Sequence, residues 1–210
     1  MVAMPADVTA IVPLKALRRA KGRLAPGLDA PSRRELAAWM FLRVLDACLA
    51  APPVARVLVV AGDQAAARLA DGRPVDVVVE PAQGLATALA AADRMTAAAA
   101  ATLVVAADLP LAEAADIEAV CAAGRSTRTV VVVRTCDGGT GALLRRPATV
   151  VGTAFGPASA DAHVALARAA DVPVTLLDVP NLALDVDNAG ALAAARAHDP
   201  RLERWARHVS

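Results

Sequence analysis

The chain has 210 residues, enough for a substantial core, and its 22 basic and 21 acidic side chains leave the net charge close to zero. Hydrophobic residues make up 57% of the composition, but the longest apolar stretch, residues 97–107, is too short for a membrane span of roughly 20 residues. With two Phe, two Trp and no Tyr, the chain also lacks the basic face with stacking aromatics that nucleic-acid binders commonly show.

The cysteines and the N-terminus indicate the compartment. Cys48, Cys121 and Cys136 are widely spaced and form no CxxC pair, which favours free thiols in a reducing environment and disfavours a zinc site. The first residues show no charged start, apolar segment and cleavage site of a signal peptide. We therefore expect a soluble, cytoplasmic protein with no membrane and no nucleic-acid partner.

Short apolar runs alternate with helical segments along the chain. Strands are predicted at residues 8–14, 56–62, 75–81, 102–107, 129–134 and 172–178, with a turn and a short strand within 136–147. Helices are predicted from 30 to before Pro52, after Asp63, and at 84–101, 113–123 and 160–170, with a last helix carrying Leu192 and Arg196. This order predicts one α/β domain over residues 1–210, with a mostly parallel sheet covered on both faces.

Asp108 stands where the fourth strand should end. Pro110 cannot continue a ladder, and ligands of open α/β sheets bind at the carboxyl ends of the strands. A carboxylate at that place suits a divalent cation. The alternative is that Asp108 only caps the next helical turn through a local hydrogen bond.

A second acidic pair, Asp185 and Asp187, precedes the last helix. Side chains two apart in an extended segment point the same way, so either carboxylate can complete a magnesium site with Asp108. The alternative is that Asp187 or Asn188 simply caps the last helix, a role for which Asp185 is less suited.

The first strand runs into a loop, residues 15–24, with five cationic side chains. Neither GxGxxG nor GxxxxGK[ST] follows the strand, which disfavours NAD chemistry and P-loop GTP hydrolysis. Lys15, Lys21 and Arg23 suit a triphosphate, whose leaving pyrophosphate needs its charge neutralised, and Gly22 permits close approach of the backbone. The alternative is a solvated run of charges on a surface turn.

Two later segments are candidates for binding a small acid. The glycine-rich residues 138–141 present backbone N–H groups and the Thr140 hydroxyl to an anion, or form only a tight turn. Ser159, approached through Phe155-Gly156-Pro157, is a candidate N-cap, and helix N-termini also bind phosphate. His163 lies one turn later on the same face, although a lone histidine is more often packed than functional.

The candidate motifs follow one another along nearly the whole chain. They are Val12-Pro-Leu-Lys15, residues 20–24, residues 107–110, Gly139-Thr140, residues 155–159 with His163, and Asp185-Val-Asp187. In that order they resemble the guanylyltransferases of coenzyme F-420 biosynthesis. The resemblance implies a nucleotide-diphospho-sugar-transferase-like (Rossmann-like) three-layer sandwich with a mixed central sheet. It also implies transfer of GMP from GTP to a small phosphorylated acid, with release of pyrophosphate.

The resemblance further implies a role for each candidate residue. A site for Mg²⁺ would use Asp108, Asp185 and Asp187, and Asp108 would act in catalysis with Lys15, Lys21 and Arg23. The remaining assignments are nucleotide binding by Lys15, Arg23, Gly84 and Leu85, and acid binding by Thr140, Gly156, Ser159 and His163. Phosphoenolpyruvate is the first choice of acid because this Ala- and Arg-rich composition resembles bacterial members, with 2-phospho-L-lactate and 3-phosphoglycerate as the others. The product would pass to a deazaflavin-precursor transferase, and a homodimer is left open.

Two other functions are alternatives to this one. Another nucleotidyltransferase of the same fold, a molybdopterin guanylyltransferase or a sugar-nucleotide enzyme, is disfavoured because these carry a glycine-rich loop after the first strand. A non-catalytic nucleotide-binding protein is the second alternative. It is suggested by Asn188, Ala189 and Ala191, which stand where the family has Thr, Pro and an acidic residue.

Overall fold

A computed structural model describes residues 6–19, 21–80 and 84–207, with Arg19 described by its backbone only. Two predicted features therefore lie outside the described residues, the end of the third strand at Pro81 and the Ala20 of the cationic motif. No helix among the described residues is long and apolar enough to cross a membrane. The strands are β1 (Val8–Leu14), β2 (Val54–Ala61), β3 (Asp76–Val79), β4 (Ala101–Val105), β5 (Thr129–Arg134), β6 (Thr140–Arg146) and β7 (Val174–Leu177). The α-helices are α1 (Ala30–Ala50), α2 (Gln64–Ala67), α3 (Leu85–Thr96), α4 (Ala114–Ala123), α5 (Ser159–Ala169), α6 (Pro180–Ala183), α7 (Ala189–His198) and α8 (Glu203–Ala206).

Within the described residues, the strands form one seven-stranded sheet in the order β3-β2-β1-β4-β6-β5-β7. All neighbouring pairs are parallel except those of β6, which runs antiparallel to both β4 and β5. The carboxyl ends of six strands therefore share one edge of the sheet with the start of β6. The predicted α/β fold with a mostly parallel, mixed sheet is confirmed; the single-domain expectation stays a prediction.

The sheet is covered on both faces because its central strands are apolar throughout. Every residue of β1 is buried, and alternate side chains enter different cores. Val12 belongs to the core under α1 and α4, whereas Ile11 belongs to the core that includes Leu89 of α3 and Val164 of α5. This is the three-layer arrangement that the resemblance implied.

A third apolar cluster lies outside these two layers. It joins Leu36 and Met40 of α1 to Leu192 of α7 and to Trp205 of α8. The same cluster includes Leu24, from the loop after β1, and Val186, which stands between the two aspartates of the second acidic pair. Burial of Leu24 and Val186 in one cluster therefore holds their two loops together.

Several boundaries differ from the predictions for local reasons. The helix predicted over 84–101 ends at Thr96, because residue Ala101 already begins β4. β4 itself ends at Val105 rather than beside Asp108, and the short helix α6 was not predicted. Asn188 caps α7, its side chain accepting from Ala191 N–H at 3.0 Å, so the residue that departs from the family pattern supplies an effective cap.

Arg145 of β6 provides a first prediction. Its side chain is fully buried and donates from Nη2 to Asp93 of α3 at 2.6 Å, while the Asp93 side chain is 21% exposed. Arg145→Met leaves the Asp93 carboxylate unpaired and partly desolvated, so we expect the free energy of unfolding in urea to fall by about 2–3 kcal/mol. The matched change Arg56→Met breaks an exposed pair with Asp76 and should cost under about 0.5 kcal/mol. Equal losses in the two variants would contradict the burial argument.

Candidate active site

Three carboxylates meet at the edge of the sheet where the parallel strands end. Asp108, Asp185 and Asp187 each offer an oxygen, and the three oxygens lie within 4.8 Å of one another. The approach is fixed by the backbone, since Val186 N–H donates to the Asp108 carbonyl at 3.1 Å. This hydrogen bond places the second acidic pair against the loop after β4, as the predicted metal site requires.

The Lys21 ammonium bridges two of these carboxylates. It donates to Asp108 Oδ2 at 2.8 Å and to Asp187 Oδ1 at 2.6 Å, and its side chain is only 8% exposed. Lys21 has a left-handed backbone (φ 52°) and precedes the short 3₁₀ turn whose Leu24 is buried in the third cluster. Among the described residues, the next α-helix after Asp108 is capped by Glu113, and the Asp108 carboxylate accepts from Lys21.

The charges around the cluster favour a cation. Burial raises the pKa of Asp185 to about 6, and the negative charges of Asp108, Asp137 and Asp187 add to this effect. Burial also acts to raise the pKa of Asp187, but Lys21, and then Lys15 and Arg23, outweigh it and hold that pKa below its ordinary value. Lys15 and Arg23 are exposed, and their positive charges help to lower the pKa of Asp187.

The donor set fits a hard divalent cation. Carboxylate oxygens are preferred ligands of Mg²⁺, which is commonly held by one or two of them together with substrate phosphates. The Lys21 ammonium already bridges two of the three carboxylates, so the geometry suits positive charge before any ligand is considered. Asp108, Asp185 and Asp187 are half-buried, which leaves the cluster accessible to a ligand.

A second group of polar side chains lies where β6 begins. Thr140 Oγ1 is 2.9 Å from Ser159 Oγ and 3.0 Å from His163 Nδ1, and all three residues are buried. His163 Nε2 accepts a hydrogen bond from Ala154 N–H at 2.8 Å. The structure thus brings together three of the four predicted acid-binding residues.

Ser159 is not the N-cap that the sequence suggested. The cap position belongs to Ala158, which has a left-handed backbone (φ 52°) and makes no side-chain cap. Ser159 is the first residue of α5, and its hydroxyl faces Thr140 instead. Gly156, the fourth predicted residue, is exposed with φ 151°, and its carbonyl accepts from Ser159 N–H at 3.2 Å.

The three carboxylates and the hydroxyls of Thr140 and Ser159 lie at the same edge of the sheet. Gly141, next to Thr140, accepts through its carbonyl from Ala106 N–H at 2.9 Å, two residues before Asp108. On the other side, Cys136 N–H donates to Ala183 O at 2.8 Å, two residues before Asp185. The two halves of the candidate site are therefore joined by main-chain hydrogen bonds.

The sequence predicted the turn that links these halves, but not the role of Asp137 in it. Asp137 Oδ1 accepts from the Thr135 hydroxyl at 2.6 Å and from Gly139 N–H at 3.0 Å, which fixes the turn before Thr140. An Asp followed two residues later by Gly is an available turn signal, since Asp side chains bind the backbone two residues on. Gly84 and Leu85, the other predicted nucleotide-binding residues, form the cap and first residue of α3.

Solved structures of other proteins share this fold. A solved structure from Desulfovibrio desulfuricans G20, assigned to the nucleotide-diphospho-sugar transferases, matches with a TM-score of 0.70 and 14% identity, covering 95% of this chain and 98% of that one. A Mycobacterium tuberculosis protein solved in complex with manganese matches with a TM-score of 0.57 and 22% identity, covering 90% and 97%. The fold is therefore of the nucleotide-diphospho-sugar-transferase class, as the resemblance implied.

Sequence comparison identifies the family within this fold class. The family model "Guanylyl transferase CofC like" matches residues 8–199. A phosphoenolpyruvate guanylyltransferase of Roseiflexus sp. is 39% identical over 204 residues, 95% of this chain and 90% of its own length. One from Conexibacter woesei is 38% identical over 192 residues, 89% and 86% of the two chains. The chain belongs to this guanylyltransferase family, which confirms the recognition made from the motifs.

Proposed function

We propose that the chain transfers GMP from GTP to phosphoenolpyruvate and releases pyrophosphate, as a step of coenzyme F-420 biosynthesis in the cytoplasm. The observation that carries this proposal is the cluster of Asp108, Asp185 and Asp187 held against Lys21. Support for the acceptor comes from the relatives, which carry the name phosphoenolpyruvate guanylyltransferase. 2-Phospho-L-lactate and 3-phosphoglycerate remain the competing acceptors.

The reaction needs alignment and charge neutralisation more than a base. A phosphate monoester has a second pKa near 6, so the acceptor is largely a dianion at neutral pH and attacks without prior proton removal. Its oxygen bonds to the α-phosphorus of GTP while the bond to the β-phosphate bridging oxygen breaks, and pyrophosphate leaves. The reaction therefore needs no nucleophile or general base from the protein.

The carboxylate cluster is the proposed holder of Mg²⁺. Asp108, Asp185 and Asp187 supply the oxygens, and the M. tuberculosis neighbour with bound manganese supports a divalent ion in this fold. When bound, the ion would neutralise charge on the phosphates of GTP. Lys15, Lys21 and Arg23 are proposed to bind the phosphates, because all three positive charges act on Asp187 of the cluster.

The remaining assignments follow from position. Gly84 and Leu85 begin α3 on the crossover between β3 and β4, so they lie at the same edge of the sheet as the carboxylates and are proposed to contact the nucleotide. Thr140, Gly156 and Ser159 are proposed to bind the phosphorylated acid. Transfer of the product to a deazaflavin-precursor transferase and assembly into a homodimer also stay proposals.

A pyrophosphate-release assay tests the function. We expect release with GTP and Mg²⁺ in the presence of phosphoenolpyruvate, and much slower release with either competing acid or when ATP or CTP replaces GTP. The product should be a guanosine diphospho-acid by mass spectrometry. GTP binding with no release for any acid would favour the non-catalytic alternative and would overturn the proposal.

Ser159→Ala tests the acid-binding half. The hydroxyl at the start of α5 is expected to contribute a hydrogen bond to a charged oxygen, so its loss should raise KM for phosphoenolpyruvate about tenfold while KM for GTP changes less than about twofold. Ser126→Ala is the matched control. Ser126 is exposed in the loop that leads into β5, at the other edge of the sheet, and should leave both constants unchanged. A larger change in KM for GTP than for the acid would contradict the assignment.

A further inference from the structure

We propose that His163 is a positioning residue that makes the Thr140–Ser159 pair a hydrogen-bond donor to the bound acid. The proposal rests on the acid-binding role given above to Thr140 and Ser159. His163 is buried, and both of its ring nitrogens already have partners, Thr140 Oγ1 and Ala154 N–H, so the ring has no polar atom left for the acid. It therefore acts through the hydroxyls rather than as the substrate-binding residue that the sequence suggested.

The main chain fixes the position of the ring proton. Ala154 N–H can only donate, and it points at His163 Nε2 over 2.8 Å, so Nε2 must carry a lone pair. A neutral imidazole then carries its proton on Nδ1, which lies 3.0 Å from Thr140 Oγ1. The histidine consequently donates to Thr140 and does not accept from it.

The direction of the hydrogen bond between His163 and Thr140 decides how many hydroxyl hydrogens are left for a ligand. Thr140 and Ser159 have one each, and one of the two is used in the 2.9 Å hydrogen bond between them. Because His163 takes neither, the other hydrogen stays available for an anionic oxygen. With the opposite tautomer, the Thr140 hydrogen would go to the ring, the Ser159 hydrogen would go to Thr140, and none would remain.

The surroundings keep the ring neutral and in place. Phe155 packs edge-on against it with a centroid distance of 4.9 Å. Burial, and to a smaller extent the positive charge of Arg145, lowers the pKa of His163 to about 4, so the ring stays uncharged at neutral pH. Arg145 also holds the loop that contains Ala154, since its Nη1 donates to Val151 O at 3.2 Å. The packing of α5 against this loop therefore fixes the tautomer of His163.

Three substitutions of His163 separate positioning from simple packing. His163→Phe fills the space and removes both hydrogen bonds, and we expect KM for phosphoenolpyruvate to rise about tenfold to a hundredfold with KM for GTP nearly unchanged. His163→Asn places an amide N–H near the position of Nδ1 and should recover most of the loss. His163→Gln places its amide near Nε2, can serve only Ala154, and should not recover it. Circular dichroism and Tm establish that each variant is folded.

Thr140→Val completes the test with phosphoenolpyruvate as the probe. If His163 acts through Thr140, adding His163→Phe to Thr140→Val should change KM for the acid less than twofold further. A normal KM for His163→Phe, or equal values for the Asn and Gln variants, overturns the positioning role while Thr140→Val stays impaired. A normal KM for Thr140→Val instead shows that the acid-binding assignment itself has failed.

Discussion

Asp108→Asn is expected to lower kcat by on the order of a thousandfold while leaving the fold intact. The amide keeps the shape of the side chain but removes a charge from the cluster with Asp185 and Asp187, and it weakens the bond from the Lys21 ammonium. The proposed Mg²⁺ is then held less tightly and Lys21 is less well positioned, so less positive charge is placed at the triphosphate in the transition state, where a single group is commonly worth a hundredfold or more. Pyrophosphate release under saturating GTP and phosphoenolpyruvate measures the effect.

Asp178→Asn is the matched control for this change. Asp178 follows β7 directly at the same edge of the sheet, but it is exposed and lies outside the three-carboxylate cluster. Its kcat should stay within about twofold of the unmodified protein, as for most exposed substitutions. Near-normal turnover of Asp108→Asn would remove this residue from the proposed metal site.

Lys21→Met should change metal binding and turnover in opposite directions. A cation that binds Asp108 Oδ2 and Asp187 Oδ1 must displace the Lys21 ammonium that bridges them. Removing that competitor should tighten the binding of Mn²⁺ alone about tenfold, a range typical of a partly buried charge pair. Turnover should fall about a hundredfold, because a cation for the triphosphate is lost. Calorimetric titration with Mn²⁺ and the pyrophosphate assay measure the two effects.

Arg18→Met is the control for Lys21→Met. Arg18 lies in the same loop, exposed, three residues before Lys21, so its loss removes one positive charge without changing the bridged carboxylates. Neither Mn²⁺ affinity nor turnover should change more than about twofold. If Lys21→Met lowered turnover but left Mn²⁺ affinity unchanged, the lysine and the cation would not share a site.

The central strands could be read from the sequence because they are buried on both faces. The apolar runs of β1 and β4 need no partner to be recognised, and their alternation with helices leads to the parallel sheet. The end of α3 could not be read in the same way. Alanine favours helix at every position of 97–101, and only pairing of Ala101 with Val8 in β1 makes it the start of a strand.

The candidate site was predictable where chain position alone decides it. Asp108 follows a strand, at the edge of the sheet where ligands of this class of fold bind. Asp185 and Asp187 are two residues apart, so their side chains were expected to point the same way. These two patterns were enough to predict that the three carboxylates lie together. The bridging by Lys21 depends instead on burial of Leu24 and Val186 in a cluster completed by α7 and α8, which no local pattern reveals. The same holds for Ser159, where the left-handed Ala158 displaces the helix start by one residue.

The reversed direction of β6 has a consequence for how this family can diversify. Because β6 runs antiparallel to both of its neighbours, it begins at the edge of the sheet where β4 and β5 end, and α5 is the next helix or strand after it in the chain. The residues proposed to bind the acid, Thr140, Gly156 and Ser159, all lie in the segment from the first residue of β6 to the start of α5, whereas the residues proposed to bind GTP lie outside it. If these assignments hold, substitutions within the segment can change the acid without changing the contacts to GTP. A change of acceptor would then need substitutions in this one segment only.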